Sequence, residues 1–264
     1  MKLLSVLGTL TTGAVVTAFA VDLFAGSSPA TGPVTGRVVF VGDSPNPASG
    51  KVVFDGDPPE IKPLSITEKQ AEGCCPAGVE MDTTDPSLLI GKGNGIQNVV
   101  VTIEVKGAET KPMDKPVEID QKMCHFEPHI RVMTIGSTVE FLNSDQVSHN
   151  VHTYPAKNDP LNKTIAPGGR ESQVLEKTDK VKIACDIHPW MSGYLFVTDT
   201  PYHAVTGADG SFKISGLPPG KYQAEFWHEK LGKAKGEVVI ADDGTSEPIQ
   251  VEMGEEKKGK KRRR

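Results

Sequence analysis

Cysteine, histidine and methionine stand three residues apart in Ala184-Cys185-Asp186-Ile187-His188-Pro189-Trp190-Met191. The segment lies between two runs of β character, Val181-Lys182-Ile183-Ala184 before it and Gly193-Tyr194-Leu195-Phe196-Val197-Thr198 after it. Alternating apolar residues mark half-buried strands. The stretch from Cys185 to Met191 therefore has to turn the chain between two strands while presenting a thiolate, an imidazole and a thioether from one short loop. A second imidazole has an obvious source upstream, where Phe141-Leu142-Asn143-Ser144-Asp145-Gln146-Val147-Ser148 breaks a strand pattern into a polar turn and delivers His149 beside Asn150. Two histidines, one cysteine and a weak axial methionine form the donor set of a blue-copper electron-transfer site. A lone Cys-x-x-His would be weak evidence, since a buried cysteine near a surface histidine is the ordinary alternative. The methionine three residues on and the second histidine favour a metal, with copper first on donor softness.

The rest of the composition agrees with a strand-built host. Glycine and proline are plentiful, 27 and 20 among 264 residues, and Val, Ile and Thr recur in short runs. Short strands joined by turns follow from that pattern, so the chain reads as all-β and is long enough for two domains. The net charge of −5 hides an asymmetry: Lys257, Lys258, Lys260, Lys261, Arg262, Arg263 and Arg264 contribute +7, which leaves −12 for residues 1–256. A like-charged terminal run is ordinarily a solvated end; contact with an anionic surface is its functional alternative. No nucleic-acid partner is expected.

Residues 1–20 read as an export signal, with Lys2, an apolar core and the Ala18-Phe19-Ala20 cleavage pattern; a retained membrane anchor is the competing reading. Export, to a periplasmic or cell-surface location, places the four cysteines where disulfides form. Residues 21–48 read as a linker carrying the first copy of a short strand repeat, Gly36 to Pro45, whose second copy is Gly50 to Pro59. The loop-rich stretch to residue 97 holds the vicinal pair Cys74-Cys75. Asn98 to Val105 is a clear strand, and the charged, proline-containing residues 106–116 mark a boundary. Cys124 is expected to pair with Cys75 or Cys74; the alternative is a second metal site built from Cys124, His125 and His129.

The residues of the block 117–198 resemble the cupredoxins, the type 1 copper family. The tight Cys-x-x-His-Pro-x-Met loop from Cys185 to Met191 and the His-Asn-Val-His run from His149 to His152 are similar to its amicyanin-like members, and Ile135-Gly136-Ser137-Thr138-Val139 is similar to a turn those proteins carry. The resemblance implies a Greek-key β-sandwich over 112–198 holding one type 1 copper ion. His149, Cys185 and His188 would be equatorial ligands, Met191 axial, and Asn150 would hydrogen-bond near the cysteine sulfur. His152 is the rival ligand.

The final block, with Thr206 to Phe212 and Leu217-Pro218-Pro219-Gly220-Lys221-Tyr222, resembles the carboxypeptidase regulatory-like, or transthyretin-like, β-sandwich. Gly50-Lys51-Val52 is similar to that family's first strand. Neither half has enough strands alone, so residues 49–108 and 199–253 are expected to form one sandwich with the copper block inserted. Two domains in series are the alternative, and residues 254–264 form the basic tail. Isolated His203 and His228 read as structural, and the motifs of common hydrolases and nucleotide enzymes are missing from the sequence, so no catalytic activity is expected. The expected function is an exported one-electron carrier with a redox protein as partner. The alternatives are a copper carrier or store, and a metal-free sandwich used for envelope binding.

Overall fold

The computed structural model describes residues 47–254. The expected signal, the first copy of the strand repeat and the basic run from Lys257 onward lie outside the described residues. Within them the protein is all-β, with a single 3-10 turn at Lys92–Asn94. None of the described helical residues forms a helix long and apolar enough to cross a membrane.

The strands are β1 (Ala48–Phe54), β2 (Val100–Ile103), β3 (Val117–Lys122), β4 (His125–Glu127), β5 (Ile130–Thr134), β6 (Ser137–Asn143), β7 (His149–Tyr154), β8 (Asn162–Ile165), β9 (Arg170–Leu175), β10 (Asp179–Ala184), β11 (Ser192–Thr198), β12 (His203–Val205), β13 (Ser211–Ile214), β14 (Gly220–His228), β15 (Gly232–Ile240) and β16 (Ile249–Met253). Their pairing separates them into two sets. Strands β3 to β11 form a sheet in the order β4-β3-β6-β9 and a second in the order β5-β11-β10-β7-β8. The remaining strands form sheets β13-β1-β16 and β12-β2-β14-β15. Each set encloses its own apolar core. Ile119, Phe141, Val151, Ile183 and Leu195 belong to one, and Val52, Ile96, Val101, Phe226 and Val238 to the other.

Period-two patterning explains which side chains enter these cores. In β6, Ser137, Val139, Phe141 and Asn143 are buried and alternate with partly exposed neighbours. One glycine in the second set is fixed by close packing. Gly210 has φ 79°, and a Cβ there would lie 2.2 Å from the carbonyl oxygen of Val52. Only glycine combines that backbone conformation with so close an approach. Beside it Thr206 donates its hydroxyl to Ile96 O at 2.7 Å, which ties this hairpin to the segment leading into β2.

The β3–β4 hairpin turns through Met123 and Cys124, both in the left-handed region at φ 50° and 53°. Such a two-residue turn favours Asn and Gly. Here the carboxylate of Asp145 accepts both backbone N–H groups, at 2.6 Å from Met123 and 2.8 Å from Cys124. Cys124 also forms a disulfide with Cys74, anchoring the long loop between β1 and β2 to this turn. Of the two expected partners it is Cys74 that pairs, and Cys75 is a free thiol. The disulfide removes Cys124 from the alternative metal site. His125 uses Nε2 on Asp82 O at 2.8 Å, and His129 is engaged by Ser192 O and Glu229.

Strands β2 and β12 pair directly, Thr102 with His203, although the whole of β3 to β11 lies between them in sequence. We propose that the two sets are two domains, the set of β3 to β11 being inserted into the other at this junction. Joining 49–108 to 199–253 through a short Gly/Ser linker, with Cys74→Ser to remove the orphaned thiol, is then expected to give a sandwich that unfolds cooperatively on heating. Residues 112–198 should fold with metal. Aggregation of both fragments beside a stable 49–198 would indicate domains in series.

His228 gives the second set an acid sensitivity. Its ring is buried and Nδ1 accepts the backbone N–H of Lys230 at 3.2 Å. Burial, helped by the nearby His129 and Lys230, pushes its pKa down to about 4. The unfolded chain takes up this proton near pH 6.5, whereas the folded one resists until about pH 4. Stability present above pH 6.5 is therefore lost as the pH falls through that window, by about 3 kcal/mol. Urea unfolding between pH 7 and 4 should show a shallower acid loss in His228→Gln than in the parent chain.

Candidate metal centre

Antiparallel pairing assembles the site. Strand β10 pairs with β7 in the register Ala184 to His152 and with β11 in the register Ala184 to Ser192. The start of β7 and the end of β10 thus lie at the same end of the sheet, and the loop from Cys185 returns at once into β11. The loop is closed by its own backbone: Cys185 N donates to Met191 O at 3.3 Å and Met191 N to His188 O at 2.9 Å.

Three donor atoms converge there. Nδ1 of His149 and Nδ1 of His188 are 2.9 Å apart, and Sγ of Cys185 lies 4.0 and 3.8 Å from them. All three residues are buried, as is Met191, which belongs to the same apolar core. Nε2 of His149 donates to Asp145 Oδ2 at 2.8 Å, which turns Nδ1 of the same ring toward the sulfur. Such a carboxylate–imidazole pair fixes the tautomer and orientation of a metal-binding histidine. Two imidazoles and a thiolate, with Met191 buried in the same core, are chemically suited to copper.

The electrostatics of this cluster follow from its geometry. Burial opposes charge on His149, but the Asp145 carboxylate and the Cys185 thiolate outweigh it and push the imidazole up to about 9. Burial likewise opposes a thiolate at Cys185, yet hydrogen bonds from His149 and His188, together with the backbone of Asn150, bring it down to about 5. At neutral pH the two form an imidazolium–thiolate pair.

Asn150 lies next to the sulfur loop. Its Oδ1 accepts the backbone N–H of Asp186 at 2.6 Å, and its Nδ2 donates to Asp186 Oδ2 at 3.0 Å. His152, the rival ligand, is not part of the converging set; its Nδ1 faces Asp186 at 3.1 Å. The sequence reading missed Asp145 and Trp190. Trp190 donates Nε1 to Cys124 O at 3.1 Å and packs its ring near His188, with centroids 5.2 Å apart. The Asn143-Ser144-Asp145 turn, which ends four residues before His149, was the available signal for the first. The disulfide also borders the site, with Cys124 Sγ 3.9 Å from His149 Nε2.

Asp145→Asn should retain acceptor capacity on one side only. Loss of a group that orients a metal ligand typically weakens binding about 10–100-fold, so competition against a copper chelator should show a loss of that order. The variant should also unfold about 1–3 kcal/mol earlier in urea, because a buried turn N–H loses its charged acceptor.

No family model matches the chain, and no curated protein matches it. Solved structures do. A purple cupredoxin from Nitrosopumilus maritimus is 23% identical, over 31% of this chain and 99% of its own, with a TM-score of 0.28. A Cu-containing nitrite reductase (NirK) from Thermus scotoductus SA-01 is 23% identical over 38% of this chain and 26% of its own, with a TM-score of 0.31. A mutant of amicyanin in its Cu(I) form is 19% identical over 37% of this chain and 98% of its own, with a TM-score of 0.30.

Proposed function

We propose that this chain binds one type 1 copper ion through His149, Cys185, His188 and Met191 and carries single electrons. The observation that carries this reading is the convergence of Sγ and two Nδ1 atoms within 4.0 Å in a buried site whose first histidine is oriented by Asp145. Copper bound there would supply one-electron chemistry through a soft thiolate. The chain's own contribution is rigidity. Cys185, His188 and Met191 are held by one loop closed on its backbone, and His149 is held by a paired strand and a carboxylate, so the donors have little freedom to rearrange. Four protein donors also leave no open position of the kind a catalytic metal needs.

Export to an oxidising compartment belongs to the same proposal and is supported by the Cys74–Cys124 disulfide. The transthyretin-like reading of the other sandwich and the docking of a redox protein partner are parts of it as well. A copper carrier or store shares the donor set and is separated by exchange: a carrier of copper would hand Cu(I) to a chelator within minutes, whereas a carrier of electrons would keep it through repeated redox cycles.

Reconstitution with Cu(II) is expected to produce an intense visible band from sulfur-to-copper charge transfer and a reversible one-electron wave in voltammetry. Cys185→Ser should abolish the band entirely. A parent protein that binds stoichiometric copper and stays colourless would overturn the type 1 reading.

A further inference from the structure

The exit of the sulfur loop is bound by a residue from outside it. Strand β11 begins at Ser192, directly after Met191, but its pairing with β5 begins only at Tyr194, opposite Ile130. On that edge the ladder supplies no partner for Ser192 O. His129, the residue before β5, takes the place of one: its Nδ1 donates to Ser192 O at 2.9 Å, and its own carbonyl accepts from Tyr194 N at 2.9 Å. The two bonds straddle Gly193, where a Cβ would lie 2.7 Å from that carbonyl oxygen, so the approach of His129 needs a residue without a side chain.

The second ring nitrogen of His129 faces the other set of strands. Nε2 bonds the carboxylate of Glu229, in the turn between β14 and β15. A carbonyl oxygen only accepts, so Nδ1 carries a proton, and Nε2 and the carboxylate share another. The side chains of His129 and Glu229 are 7% and 9% exposed. A ring with both nitrogens engaged at that depth cannot swing without stranding buried polar groups.

We propose that Glu229 and His129 are positioning residues for the axial donor: the carboxylate fixes the imidazole, the imidazole fixes Ser192, and Ser192 fixes the placement of the adjoining Met191 against the other three donors. This rests on the type 1 reading of the site. In such sites the axial thioether is weak and long and tunes the reduction potential. The relay ends one residue from that thioether, whereas His149 is oriented separately by Asp145. Releasing Ser192 is therefore expected to change the potential more than the copper affinity.

Full-length chains labelled at the methionine methyl groups are compared by NMR without metal, in the parent and in Glu229→Gln, Glu229→Asp, His129→Ala, His129→Asn and Trp227→Phe. A shift of the Met191 methyl signal in Glu229→Gln and His129→Ala, with the Met253 signal of the other core in place, supports the relay. So does partial return of the signal in His129→Asn, whose side-chain amide can replace Nδ1 as donor. Trp227→Phe weakens a different contact between the two sets and reports on their docking alone. A Met191 shift of equal size in that variant would overturn the proposal, as would a parent-like Met191 signal in folded Glu229→Gln. Should Glu229→Gln fail to fold, Glu229→Asp retracts the carboxylate by a single methylene, keeps its charge and is judged by the same signal. With copper loaded, Glu229→Gln should shift the reduction potential at unchanged copper stoichiometry, and an unshifted potential would overturn the axial role. A parent chain that forms no type 1 centre would remove the reading of the site itself, whereas the metal-free Met191 signal would still decide whether Glu229 acts on that side chain.

Discussion

The carboxylate of Asp145 accepts three N–H groups from two different places, the backbone of Met123 and Cys124 and the ring of His149. Two left-handed residues that are not glycine cost roughly 1–2 kcal/mol each, and charge-assisted bonds to one carboxylate offset that strain. The same carboxylate sets the histidine. A hairpin turn and a candidate metal ligand thus share one anchor, and the Cys74–Cys124 disulfide pins the turn from its other side. Asp145 is buried and its own ionisation is affected by competing influences: burial disfavours the charge, while the bonds from His149, Cys124 and Met123 hold the carboxyl below its ordinary value. An unpaired carboxylate here would be expensive, so the three donors and the acceptor hold one another in place.

The two sets of strands meet through polar and aromatic contacts. His129, from the β4–β5 connection, bonds Glu229 at the β14–β15 turn, and both side chains are nearly buried. Trp227 of β14 packs edge-on against Tyr194 and near Phe196 of β11, with centroids 5.3 and 5.6 Å away, and Lys180 lies 5.4 Å from its ring. Aromatic and cation–π contacts of this size add stability beyond the area they bury. Tyr194 and Phe196 belong to β11, the strand into which the loop of Cys185, His188 and Met191 returns, so the second set of strands contributes stiffness as well as surface.

Much of this was legible in the sequence because period-two patterning and loop spacing are local. The all-β class, the strands around Val139 and Ile183 and the return of the chain through Cys185 to Met191 follow from residues within a few positions of one another. The partnership of His149 with Cys185 was readable from donor chemistry. Asp145 was not, because nothing in an Asn-Ser-Asp turn says that its carboxylate reaches back to Met123 and Cys124, residues from another hairpin. Choosing Cys74 over Cys75 was out of reach for a similar reason: the two are adjacent in sequence, and only the path of the β1–β2 loop decides which sulfur is buried against Cys124. His152 shows the opposite case. It shares a motif with His149, yet an odd offset along β7 places it on the outer face, where strand alternation sends every second side chain.

The charges in the buried site determine what it can accept. Between the carboxylate of Asp145 and the thiolate of Cys185, the proton on Nδ1 of His149 is the positive charge that joins them, and with the imidazole near 9 and the thiol near 5 it is in place at neutral pH. An ion that takes the lone pair of Nδ1 must displace that proton, while the thiol has already given up its own. A metal ion bound there would displace the proton from His149, and its affinity would fall as the pH drops because the proton competes more strongly. A monovalent ion in the proton's place leaves the buried charge unchanged, and a divalent one offsets both the carboxylate and the thiolate. Neither state leaves an uncompensated positive charge in the core, which is the condition a buried centre must meet if it is to change its oxidation state without rearranging the protein around it.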